Sequence, residues 1–304
     1  MNTHQSAGFL RRCYWGEGFS LKDFLSPELA GYIYLLYPNG VLLPRMKALL
    51  KKWSLRIAVS TAVSLVSILG ALLNPGILYA HKTVIGNFSV YHQLDLEEDF
   101  YQRLEVIEAV VRDSELYDSA LKVDICLNDG SLYPNMLKAF MPPAFGWGIA
   151  NKAVFQGTAN FKENYVALNG YRWNAEQLFI HELTHLYQFN HFGFWNSNPV
   201  ANHPEWKWEG YAEYTSRQGE SQASLFDNIK RLERARAEDP SGWGILFEDG
   251  TVAPRVYYDY WLLVQFCLDS KGMNYRELMD TPLSKTSLER EMRHWFEIQS
   301  TKNN

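Results

Sequence analysis

Two histidines four residues apart, with a glutamate beside the first, are the residues here whose types and spacing could activate water: His181-Glu182-Leu183-Thr184-His185. On a helix, positions four apart lie about 40° apart around the axis, so the two imidazoles project from one face. Their ring nitrogens can share one divalent cation at about 2.0–2.1 Å. Glu182 then stands beside the open coordination position, where it can take a proton from water without ligating. The flanks predict the helix. Asn174 can cap its start, Ala175–Ile180 contains no Pro or Gly, and Leu178, Phe179, Ile180, Leu183 and Leu186 give it an apolar side to bury. An amphipathic helix with two incidental histidines would carry the same five residues, and such a string arises by chance in roughly one chain in a hundred of this length. Support must come from elsewhere.

It comes from Trp206-Lys207-Trp208-Glu209-Gly210-Tyr211-Ala212-Glu213-Tyr214. A site with two histidines needs a third protein ligand, and Glu209 offers a carboxylate on a second helical segment. Glu213 lies one turn further on the same face, where it can accept the remaining N–H of a ligand histidine and fix its tautomer. His191, six residues after His185, is the rival third ligand. On a continuing helix it points about 240° away; its spacing is similar to the metzincin pattern HExxHxxGxxH, but that pattern turns the chain at a glycine where this chain has Gln188. Glu209 is therefore the expected ligand, with His191 left at the helix end.

HExxH followed by WxxEGxAxY resembles the gluzincin metallopeptidases, the MA-clan type with an aminopeptidase-like catalytic domain. The resemblance implies a zincin-like α+β domain, a Zn2+ ion on His181, His185 and Glu209, a peptide or protein substrate, and Glu182 as general base. Val256-Tyr257-Tyr258-Asp259, running into an apolar stretch, is similar to the helix whose tyrosine stabilises the oxyanion in that family. It maps that role onto Tyr258, or onto Tyr257 or Tyr260 if the register differs. The 23 residues between His185 and Glu209 are more than the aminopeptidase branch has and imply an extra loop. No GxMEN-like stretch, which binds a free substrate amine in that branch, precedes the metal helix; an endopeptidase is the safer expectation.

The upstream sequence predicts a frame for the site. Residues 82–92 and 121–127 read as strands, residues 95–112 as a helix with an acidic start, and 147–156 and 165–169 as shorter strands. One exposed edge strand could pair with an extended substrate. Residues 222–238 and 285–297 read as amphipathic helices, with Trp295 and Phe296 packing back and the residues from Ser300 onward fraying.

The amino-terminal quarter is different in kind. Ile57–Leu73 carries no charge, and Arg45, Lys47, Lys51, Lys52 and Arg56 precede it. Residues 1–56 hold 8 Lys+Arg against 3 Asp+Glu, a net +5, and the remainder 21 against 31, a net −10. That asymmetry predicts a cytosolic basic segment (1–56), an insertion segment (57–80) and an extracytoplasmic catalytic domain (81–304). The insertion segment fits either a single-pass anchor or a signal cleaved near Leu78-Tyr79-Ala80, with Met46 as an alternative start. The domain would be held at the cell membrane in the first case and secreted or periplasmic in the second; a buried soluble helix is the third option.

Composition narrows the partners. Net charge is −5 and the arginines Arg231, Arg234 and Arg236 alternate with Glu233 and Glu238, which excludes a basic nucleic-acid surface. Three cysteines make neither a disulfide framework nor a zinc knuckle, although Cys126 and Cys267 could pair outside the cell. Two other classes fit the same residues: a catalytically silent zincin-fold scaffold and a zinc hydrolase of non-peptide substrates.

Overall fold

The computed structural model describes residues 44–219 and 222–302. Most of the expected cytosolic segment, with Cys13, lies outside them. The chain divides into two compact units, one ending at Ser67 and one running from Ile68 to the C-terminus.

The first unit holds most of helix α1, Pro44–Leu73. The helix starts well before the uncharged run because the basic flank from Met46 to Arg56 contains no glycine or proline and is rich in helix formers. Its Lys51–Leu73 part is long and apolar enough to cross a membrane, and Ile57, Val63, Leu65 and Val66 are all exposed.

The second unit is mixed α+β. Its main sheet has five strands in the order β1-β2-β3-β5-β4: His81–Ile85, Phe88–His92, Val123–Cys126, Lys152–Phe155 and Gly146–Ile149. The two outer pairs are antiparallel, and β2, β3 and β5 run parallel. Two stretches expected as single strands are hairpins. Gly86 at φ 57° turns the first, and Ala150 at φ 54° the second, a bend that alternation of residue types does not reveal. Helix α2, Glu98–Arg112, fills the β2–β3 crossover, and the short α3, Tyr133–Lys138, follows β3.

A three-stranded antiparallel sheet, β6 Thr158–Asn160, β7 Tyr165–Leu168 and β8 Tyr171–Asn174, leads directly into α4, Ala175–Phe192. Helices α5 Glu205–Ser216 and α6 Leu225–Glu238, the hairpin β9 Gly244–Leu246 and β10 Val252–Pro254, and helices α7 Arg255–Gln265, α8 Tyr275–Asp280 and α9 Lys285–Lys302 complete the unit. Helix α9 runs past the expected fraying point, and its Phe296 meets Phe226 of α6 at 4.9 Å.

The core lies between the sheet and α2 and α4, where Phe155 and Phe179 stack at 3.8 Å beside Phe88 and Phe100. Helices α5 and α7 approach closely because residue 210 is glycine; a Cβ there would sit 2.6 Å from the Tyr260 carbonyl oxygen. Cys126 and Cys267 are both buried and free, so the pairing considered from sequence is not made. They belong to different apolar clusters.

Candidate metal and active site

The sequence of α4 builds the site locally. Asn174 Oδ1 accepts from the Gln177 N–H at 3.1 Å, closing the helix start, and the apolar residues expected on the buried side are buried. His181 and His185 project from one face into a cleft, with His181 only 4 % exposed. Helix α5 brings Glu209 across to them.

Three donor atoms converge. His181 Nε2 and His185 Nε2 are 3.1 Å apart, and Glu209 Oε2 is 3.4 Å from the first and 3.2 Å from the second. Ligands held tetrahedrally at zinc-like bond lengths stand roughly 3.3 Å from each other. The triangle therefore fits one small divalent ion, and these residues form a group able to hold a metal. Two bare imidazole lone pairs would not settle at 3.1 Å without a shared proton or cation between them.

The outer nitrogens are held as well. His185 Nδ1 lies 2.7 Å from Gln188 Oε1, which can only accept, so the proton is on Nδ1 and the Nε2 lone pair faces the centre. Gln188 is itself fixed by donating to the Trp208 carbonyl and the Tyr275 hydroxyl. His181 Nδ1 and Glu213 Oε1 lie 3.0 Å apart and buried, and neither makes a hydrogen bond among the described residues. An ion on Nε2 would fix the proton on Nδ1 and complete that contact, which is what the donor set requires of a metal site. The other Glu213 oxygen accepts from Arg217 Nε at 2.6 Å, and Arg217 is enclosed by the rings of Phe247, Tyr258 and Trp261.

The role of Gln188 was not legible in sequence, where the residue figured only as the absence of a glycine. Three residues after a ligand histidine is one helical turn, and that was the available signal. Gln188→Leu is expected to weaken metal binding about 10–100-fold while the helix stays folded, read by metal titration against a competing chelator.

Charges in the site are strongly coupled. Burial opposes protonation of His181, but the adjacent carboxylates of Glu209 and Glu213 outweigh it and carry the imidazole up to about 10. His185 is raised too, with burial opposing and Glu209 favouring the charged form. Burial also works against ionised Glu209, yet the imidazoles hold its carboxyl far below the usual range. For Glu182 the balance is reversed. Burial is the largest effect and raises it, while His181, His185 and the Gly148 backbone pull it down. A surplus of buried carboxylates thus attracts positive charge to the two histidines, which a metal ion would supply instead of protons.

The cleft encloses about 800 Å³. One wall is the run from Met141 into β4, whose glycines let the strand lie against α4. A Cβ at Gly146 would sit 3.0 Å from Glu182, and one at Gly148 2.7 Å from the Glu182 carbonyl oxygen. β4 ends the five-stranded sheet, so its outer edge has no strand partner among the described residues. The long His185–Glu209 interval also lines the cleft through Asn198, Pro199, Asn202 and His203. His203 stacks on Trp208 at 5.6 Å, and Trp208 lies nearly parallel to His185.

The tyrosine expected from the family register is corrected. Tyr258 is fully buried and its hydroxyl lies 3.1 Å from Arg231 Nη1, turned away from the cleft. Tyr260 is not among the cleft residues either. Tyr257 lines the cleft, its ring 6.0 Å from that of His181. One step along a helix rotates a side chain by about 100°, so a one-residue slip exchanges a core position for a site position. Burial, and then Glu209, Glu182 and Glu213, push the Tyr257 hydroxyl well above its ordinary range, so it remains a donor. His191 is exposed at the end of α4, against Phe192 and beside Asn274, and takes no part.

Comparison with models of known protein families, with curated proteins and with solved structures finds no match for this chain.

Proposed function

We propose that the chain is a zinc-dependent peptidase with a zincin-like catalytic domain, an endopeptidase rather than an exopeptidase, exported behind or held by its apolar helix. One observation carries this reading: three donor atoms on α4 and α5 meet at the spacing of a single ion, with a non-ligating carboxylate beside them at the edge of an open strand.

The residues divide the work. A bound zinc ion would supply Lewis acidity, bringing the pKa of a water to about 7 and polarising the scissile carbonyl. Glu182, whose carboxyl burial raises above its ordinary value, accepts the proton of the attacking water and returns it to the leaving amine nitrogen. Tyr257 donates its hydroxyl to the oxygen that gains negative charge. The free edge of β4 pairs with the backbone of an extended substrate, and the apolar walls receive its side chains. The basic residues before the apolar run favour a cytosolic amino terminus and an extracytoplasmic domain.

The test is metal analysis of the purified full chain, followed by casein or mixed-peptide cleavage with and without a chelator. About one zinc per chain, cleavage lost on chelation and restored by zinc are expected. Zinc bound with no peptide cleaved would overturn the peptidase reading in favour of the silent scaffold or the non-peptide hydrolase. Absence of any metal affinity would overturn the site itself.

The tyrosine correction has its own test. Tyr257→Phe is expected to lower kcat by about 10²–10³ with KM little changed. Tyr258→Phe should leave kcat near wild type and act only on stability; the opposite ranking in steady-state kinetics would restore the family register.

A further inference from the structure

Between the apolar helix and the first strand the chain is built into the catalytic unit. Pro75 and Tyr79 are buried. Tyr79 donates its hydroxyl to the Leu127 carbonyl at 2.8 Å, Tyr133 to the Leu72 carbonyl at 2.8 Å and Ser131 to the Leu78 carbonyl at 3.1 Å. The Ala80 N–H donates to Gln93 Oε1. Leu72 and Leu78 pack into a second apolar cluster with Tyr79, Tyr133, Leu137 and Trp147. Cleavage after Ala80 would strip a buried tyrosine and the backbone acceptors of Leu72 and Leu78 out of that cluster. The last turn of α1, from Ile68, belongs to the same compact unit.

Residues next in sequence to Leu78, Tyr133 and Met141 of this cluster carry exposed apolar side chains. Ile77 and Leu132 are each 69 % exposed and Phe140 is 65 % exposed. Phe140 also belongs to Ala139–Ala150, a stretch of 12 residues without a charged side chain, closed at one end by Lys138 and followed by Lys152. The Met141–Gly148 part of that stretch is a wall of the cleft. Bulky apolar side chains left in water mark an interaction surface, and the cluster these residues adjoin also takes in Leu72, from the end of a helix apolar enough to span a bilayer.

We propose that this face is a bilayer-contact surface. The helix is retained, Ile77, Leu132 and Phe140 enter the interfacial layer, and the cleft opens beside the membrane onto extended, membrane-proximal stretches of polypeptide. The contact stands on these residues alone; only the substrate class rests on the peptidase reading.

The experiment uses the full chain carrying Cys13→Ser, reconstituted in phosphatidylcholine–phosphatidylglycerol vesicles containing nitroxide-labelled lipid. An environment-sensitive fluorophore is placed at Leu132→Cys, Phe140→Cys or, as a control on α6, Glu238→Cys; Cys126 and Cys267 are buried and do not compete for label. Quenching at 132 and 140 several-fold stronger than at 238 is expected, and equal quenching at all three would overturn the contact. The intact mass of the chain extracted from cell membranes should include residues before His81; a chain starting at His81 would overturn retention. Neither readout uses metal or catalysis. For the substrate class, Phe140→Asp should slow cleavage of a vesicle-tethered peptide several-fold and leave the same peptide in solution cut at the wild-type rate. An equal fall in both would overturn it.

Discussion

Glu182→Gln is expected to lower kcat by about 10²–10⁴ with zinc content unchanged. Glu182 is not among the three converging donors, so the substitution leaves the ion's contacts intact. The amide has the same volume as the carboxyl and sits under Gly146 and Gly148, where a longer group would meet the strand. What is lost is the ability to accept a proton. Burial already works against the ionised carboxylate, and only the two histidines and the Gly148 backbone keep it serviceable. The measurement is kcat with parallel metal analysis of wild type and variant. Peptidase activity within tenfold of wild type would remove Glu182 from the mechanism, and zinc loss in the variant would mean that the carboxylate had been a ligand.

The largest expected effect on stability is at Arg217, not at a ligand. Arg217 and Glu213 are paired at 2.6 Å with both side chains inaccessible to solvent. Arg217→Leu leaves the Glu213 carboxylate buried without its cation, a change that costs about 3–5 kcal/mol in comparable buried pairs. Urea unfolding of the metal-free chain would read it directly. Adding Glu213→Gln to Arg217→Leu should recover much of the loss, since no unpaired buried charge then remains. The pH dependence follows from sign. Although burial opposes its ionised form, Arg217 and His181 hold Glu213 at about 2, below its unfolded value. It therefore stabilises the folded chain above the unfolded carboxylate range, and that contribution is lost as pH falls through the acid region towards 2. In Arg217→Leu this acid-labile contribution should shrink. An undiminished acid dependence together with a loss below about 1 kcal/mol would show the pair to be incidental.

Why was so much of the candidate site legible, and why did certain residues escape? His181 and His185 share a face through helical periodicity alone, and the same periodicity sets Glu213 one turn beyond Glu209. Asn174 as a cap and the apolar side of α4 are equally local. The α+β order of elements was also readable, because α2 shows helical spacing and the strands are rich in Val, Ile and aromatic residues. The hairpins at Gly86 and Ala150 look like single strands in sequence because each turn occupies two residues. The choice among Tyr257, Tyr258 and Tyr260 is not legible in sequence because the register of α7 against the site is set by packing: Gly210 lets α5 lie against Tyr260 and Val264, and that contact decides which side of α7 faces the cleft.

The amino-terminal segment shows the same division. Hydropathy and flanking charge identified an apolar helix, and no local pattern shows that residues 72–80 belong to the folded unit, since their partners at Leu127, Ser131 and Tyr133 lie some fifty or more residues away. Sequence by itself determined which residue types could meet a metal and which helix faces carry them, because those properties repeat every few residues along one chain segment. The tertiary structure decided that Glu209 reaches both histidines, that Gln188 and Glu213 orient them, and that Tyr257 rather than Tyr258 faces the cleft. Those outcomes depend on how separate helices and an edge strand pack against each other, and close packing resolves side-chain positions far more finely than any pattern within a single element.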